Sequence, residues 1–145
     1  MIELHQAVFN VLKADTQLLN LLGLDPAVTE ADISKRLTPT FPSALEVDSL
    51  IHFTFPTSYK SRRNYMFETR PIQFRIFTKD PGLIEQQHIS NRIEELLVGQ
   101  PISVGRTISY EQIEYCGEGQ IPGRVGEHYG WFLELEFQNV VKHSN

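Results

Sequence analysis

The 145-residue chain contains one cysteine, Cys116, so no disulfide can form within it and no cysteine cluster can hold zinc. A lone thiol agrees with a reducing compartment. Long apolar runs are also lacking: nothing approaches the roughly 18 residues that span a bilayer as a helix. The opening Met1-Ile2-Glu3-Leu4-His5 has no basic stretch of the kind that begins a signal peptide. Basic residues are in the minority, 13 Lys and Arg against 18 Asp and Glu, for a formal net charge of −5. That balance argues against a protein wrapped in nucleic acid over its whole surface, because such binding neutralises phosphates with cations. The expected location is the cytoplasm, or a particle assembled there, with no membrane partner.

Hydrophobic residues make up 41% of the chain and charged residues 21%, enough for a core without staples. At this length one domain, residues 1–145, can bury roughly 70% of its unfolded surface. Leu4, Ala7, Val8, Val11 and Leu12 recur at helical spacing. Asp15 caps a short second helical turn, Thr16 to Leu22, which Gly23 ends in the left-handed region. After a connector broken by Pro26, Pro39 and Pro42, with a further helical turn expected from Glu30 to Leu37 behind a Thr29 cap, the period changes. Val47, Ser49, Ile51, Phe53 and Phe55 alternate as one face of a strand, with Asp48, His52 and Thr54 on the other. A second strand runs from Thr69 to Thr78, with Ile72, Phe74 and Ile76 inward and Gln73 and Arg75 outward.

Asp80-Pro81 opens the longest helix, and Gly99 and Pro101 close it. Ile89, Ile93, Leu96 and Leu97 form its buried stripe, and Gln86, Asn91, Glu94 and Glu95 suit its wet face. A third strand is expected from about Arg106 to Tyr115. Its apolar phase slips between Tyr110 and Ile113, which predicts a bulge. Trp131, Leu133, Leu135 and Phe137 alternate with Glu134, Glu136 and Gln138 in a final strand. The order helix-strand-strand-helix-strand-strand implies an α+β fold, mainly an antiparallel four-stranded sheet with helices packed on one face. The other face carries Arg75, Gln73, Glu134 and Glu136 beside Phe77 and Phe132, a mixture that fits either solvent or an interface.

Two segments stand outside this frame: a long hairpin loop at 56–68 and a glycine-rich loop at 117–130. The glycines Gly117, Gly119, Gly123, Gly126 and Gly130 lead into a strand. A phosphate cradle leads into a helix, so a hairpin loop is the simpler reading. The histidines His5, His52, His88, His128 and His143 include no helical ligand pair, and no metal or cofactor is implied. A Cys116–His128 pair is geometrically conceivable across the loop, without a third orienting residue or an oxyanion hole. No catalytic residue is assigned. Residues 57–66 carry Lys60, Arg62 and Arg63, two tyrosines, Tyr59 and Tyr65, and no acid. Cations interleaved with aromatics suit nucleic acid, while Arg and Tyr are also enriched in protein interfaces. A protein partner ranks first for an acidic chain. The candidate partner contacts are Tyr59, Lys60, Arg62, Arg63 and Tyr65 in the first loop, and Arg124 and His128 in the second.

The opening Glu3-Leu4-His5-Gln6-Ala7-Val8-Phe9-Asn10-Val11-Leu12-Lys13-Ala14-Asp15, then Leu18-Leu19-Asn20-Leu21-Leu22-Gly23 and Lys35-Arg36-Leu37, carry a family pattern. So do the strand Ile72-Gln73-Phe74-Arg75-Ile76-Phe77-Thr78, the helix ending at Leu96-Leu97, and Trp131-Phe132-Leu133-Glu134-Leu135-Glu136-Phe137. Together they resemble the tail-completion proteins of long-tailed bacteriophages, the tail-terminator or tail-to-head joining group. Leu24 to Ser34 is longer than the family pattern. The resemblance implies a structural virion protein, not an enzyme. It would form a ring, usually a hexamer, that ends the tail tube and joins it to the head connector. Its partners would be further copies of itself, the tail tube protein and the connector or neck proteins, with genomic DNA as passing cargo. An acidic surface suits a channel through which phosphates must slide. Three alternatives remain open at this level: another neck component or tube protein, a nucleic-acid-binding adaptor using 57–66, and a small enzyme at the Cys116–His128 corner.

Overall fold

The computed structural model describes residues 2–25, 29–38, 47–54, 59–60, 67–79, 83–100, 102–104 and 108–141. Among these residues the architecture is α+β: four helices and a seven-stranded sheet. The first three helices are α1 (Ile2–Lys13), α2 (Thr16–Leu21) and α3 (Glu30–Arg36). They begin and end where local chemistry dictates. Asp15 is the N-cap of α2 and accepts from the Leu18 amide at 2.8 Å; Thr29 caps α3 and accepts from the Asp32 amide. Gly23, at φ 78°, turns the chain out of α2. The fourth helix, α4 (Leu83–Leu97), has 15 residues and so is about 22 Å long. The Asp80 cap and Pro81 expected to start it lie outside the described residues.

The strands are β1 (Leu37–Thr38), β2 (Ser49–Thr54), β3 (Tyr59–Lys60), β4 (Phe67–Thr78), β5 (Ile102–Val104), β6 (Ile108–Val125) and β7 (His128–Val141). Their order across the sheet is β1-β2-β4-β7-β6-β5, with β3 pairing on β4. The four expected strands are β2, β4, β6 and β7. Three short strands extend them, and β1 runs parallel to β2, so the sheet is mixed. Pro71, which has no amide hydrogen, falls on β4 between the end of the β2 ladder at Gln73 and the start of β3 at Thr69.

The sheet's parity fixes the core. Ile51, Phe53, Ile72, Phe74, Ile76, Leu133, Leu135 and Phe137 point to the helices, where Val8, Leu12, Leu18, Ile89, Ile93 and Leu97 meet them. Burying side chains of this kind contributes about 1.5–3 kcal/mol each. The His5 imidazole stacks on Phe53 at 4.4 Å, and burial lowers its pKa.

The glycine-rich segment differs from expectation. Residues 117–125 are strand, not loop, and the connection to β7 is only Gly126-Glu127. Gly126 has φ 63° while Glu127 is not left-handed, the pattern of a type II′ hairpin turn. Register shifts at Tyr110/Gln112, Tyr115/Gly117 and Ile121/Arg124 let a sequence rich in glycine and proline stay paired. The first is the bulge that the slipped apolar phase predicts.

Candidate interaction surfaces

The sheet face turned away from the helices has two regions. At one end Leu50 and Phe77, opposite one another on β2 and β4, are buried. Ile121 and Gly130 lie against the Phe77 ring there, and a β-carbon built on Gly130 would sit 3.2 Å from that ring. Phe77 is therefore part of a small second apolar cluster and not part of an exposed surface. His52, expected outward, lies on this face yet is buried.

The middle of the face is open. Glu114 on β6 stands directly opposite Glu136 on β7; Glu134 follows on the same face, opposite Gly117 and Gln73. Arg75, exposed, is opposite Phe132. The Phe132 ring lies against Gly119, where an added β-carbon would meet it at 3.2 Å, and it remains 36% exposed. A β-carbon there would make the Phe132 ring, the far end of a movable side chain, give way by a few tenths of an ångström.

Cys116 sits in the Tyr115/Gly117 bulge and is exposed. Partial burial, then Glu136, Glu134 and Glu114, push its thiol up, the reverse of an activated nucleophile. His128 is fully buried, with Nε2 2.6 Å from the Val47 carbonyl, to which it donates. Paired with Val125, it lies about 20 Å along the ladder from Cys116. The Cys116–His128 corner therefore does not exist. Its premise was a loop that could fold back, and the segment is an extended hairpin. Among the described residues no three His, Cys, Asp or Glu groups are placed to hold a metal.

The remaining candidates are scattered. Arg124 is exposed near the hairpin turn, opposite Tyr129. His128, buried against Val47, is removed from the accessible surface; it ties β7 to the entry of β2. Tyr59 and Lys60 form β3, opposite Thr69 and Glu68. Arg62, Arg63 and Tyr65 lie outside the described residues.

The helix-side face holds polar residues that pattern reading assigned to solvent. Gln86 is buried and donates to Thr78 Oγ1 at 3.1 Å and to the Tyr129 carbonyl at 3.0 Å. Glu118 accepts from Ser90 Oγ at 2.7 Å and Trp131 Nε1 at 3.1 Å. Glu94 stands beside it, with Oε1 buried and without a hydrogen-bond partner. Burial, then the charge of Glu118, push the Glu94 carboxyl up. The only hint in the sequence was that Glu118 follows a strand whose phase slips.

This sheet, with helices on one face, has a counterpart among solved structures. A chain of the virion of a native gene transfer agent particle has this fold. The TM-score is 0.74, over 95% of this chain and 95% of that chain, at 13% sequence identity. At that identity the likeness is one of fold, and it includes nearly every element of both chains. No family model and no curated protein matches the sequence.

Proposed function

We propose that this chain is a structural protein of a virion, and within that class a tail-completion protein. In this role copies assemble as a ring at the head-proximal end of a phage tail. The ring ends the tail tube and joins it to the head connector, with DNA passing through its centre. The observation that carries the reading is the end-to-end fold likeness to the gene transfer agent virion chain, 95% of each at a TM-score of 0.74. The independent support is the sequence resemblance to tail-terminator proteins, which rests on the same helices and strands. The acidic balance of the chain, −5 overall, suits a conduit that must not hold phosphates. The open sheet face and the basic hairpin supply two different patches, as a head-to-tail ring requires.

Light scattering over a concentration series, with negative-stain images of the same fractions, tests the reading. Closed rings of uniform subunit number with a central hole are expected, alone or after addition of purified tails. A chain that stays monomeric and does not bind tail ends overturns it.

A further inference from the structure

We infer that the partly exposed middle of the open sheet face, Glu114, Glu134 and Glu136 around the Phe132 ring, receives the basic segment 59–65 of a second copy of this chain. The inference rests on the ring reading above and specifies one of its contacts. Glu114 and Glu136 are directly opposite one another, with Glu134 next on the same face. Like charges opposed across a ladder repel and destabilise it. Among the described residues of this open region, Arg75 is the one cation against three carboxylates, leaving a local balance of −2. The Phe132 ring, 36% exposed and lying against Gly119, adds an apolar floor with a π-face. Such a surface is matched by a ligand that brings several cations and aromatic rings together.

The chain itself carries that ligand. Tyr59, Lys60, Arg62, Arg63 and Tyr65 place three cations and two rings within seven residues, and no acid occurs from 57 to 66. Copies of a molecule with net charge −5 repel at long range, so their association needs local complementarity of this kind. A contact between copies joins two unlike patches, the arrangement that closes rings.

Charge reversal on each side tests this. Arg62→Glu/Arg63→Glu and Glu134→Lys/Glu136→Lys should each weaken self-association at least about tenfold in sedimentation velocity. The chain carrying all four changes should regain most of it. Cys116, within the acidic face, serves as a reporter that needs no altered charge. Tyr65→Cys, oxidised at mildly alkaline pH, should give a ladder of cross-linked copies on a non-reducing gel, absent when Cys116→Ser is added. Unchanged association of a natively melting Glu134→Lys/Glu136→Lys chain overturns the inference. So does a Tyr65→Cys chain that cross-links only within itself, or not at all. Loss of DNA affinity alone on reversing Arg62 and Arg63 overturns it too, and assigns the segment to nucleic acid. If Glu134→Lys/Glu136→Lys still completes tails, this contact is wrong while the ring reading stands. If the cross-linked ladder forms but the wild-type chain ignores tails, the reverse holds.

Discussion

Two carboxylates near α4 respond to their surroundings in opposite ways, and their chemistry separates them by pH. Asp15 caps α2 and grips Arg92 through both oxygens, at 2.7 and 2.8 Å. The Arg92 hydrogen bond, and then the Leu18 amide, lower its pKa against the opposing effect of burial. Its contribution is complete above the ordinary carboxylate range and is lost as pH falls through the lowered folded value. Asp15→Ala should cost about 1 kcal/mol at neutral pH from the cap alone. Its melting temperature should approach the wild type as pH falls through and below the ordinary carboxylate range. Glu94, beside Glu118 with its Oε1 unpartnered, has the opposite sign. Its folded pKa exceeds its unfolded one, so its penalty is present at alkaline pH and disappears as pH falls to the unfolded value. Glu94→Gln should raise the melting temperature at pH 8 and lose that advantage near pH 4. Thermal melts of both variants across pH 3–9 check the pair. Parallel curves for either variant and the wild type would contradict the assigned cause.

At the scale of elements, the β6–β7 hairpin holds the sheet together, and Gly130 is its tightest point. A β-carbon there would lie 2.9 Å from Ile121 Cδ1, 3.1 Å from Ile121 Cβ and 3.2 Å from the Phe77 ring. Ile121 Cδ1 can swing aside, but its Cβ is fixed to the strand. Gly130→Ala should therefore destabilise by about 1–3 kcal/mol through overpacking. Chemical denaturation with an unchanged slope would register it. The same hairpin marks where sequence reading reaches its limit. The caps Asp15 and Thr29, the Gly23 stop and the bulge after Tyr110 were legible because each is decided within a few residues. The glycines from 117 to 130 read as a loop because local propensity favours turns there. Pairing along β7, with two further bulges to absorb the mismatch, overrides that preference. Gln86 and Glu94 read as wet for a related reason. Their neighbours, Tyr129 and Glu118, are distant in the chain on the sheet, and no periodicity encodes that proximity. His128 was misplaced by the same error, since a buried bond to Val47 spans 81 positions.

For the whole molecule, the separation of a buried helical side from a partly open, charged sheet side makes assembly and stability distinguishable. The core beneath the helices is complete within one copy: Phe53, Phe74 and Phe137 are fully buried with no second chain present. A protomer should therefore fold before it associates, unlike an obligate dimer whose core is shared. Assembly then adds stability only by mass action, because a partner that binds the folded state alone shifts the equilibrium by RT ln(1 + [L]/Kd). At a partner concentration a hundred times Kd this amounts to about 2.7 kcal/mol. The melting temperature should rise when protein concentration increases a hundredfold through the range where rings form, and hold a constant lower value below it. A chain whose melting is independent of concentration while scattering reports rings would show that the rings dissociate before unfolding begins. A chain with no folded state at the dilute limit would show instead that the open sheet face is part of the core.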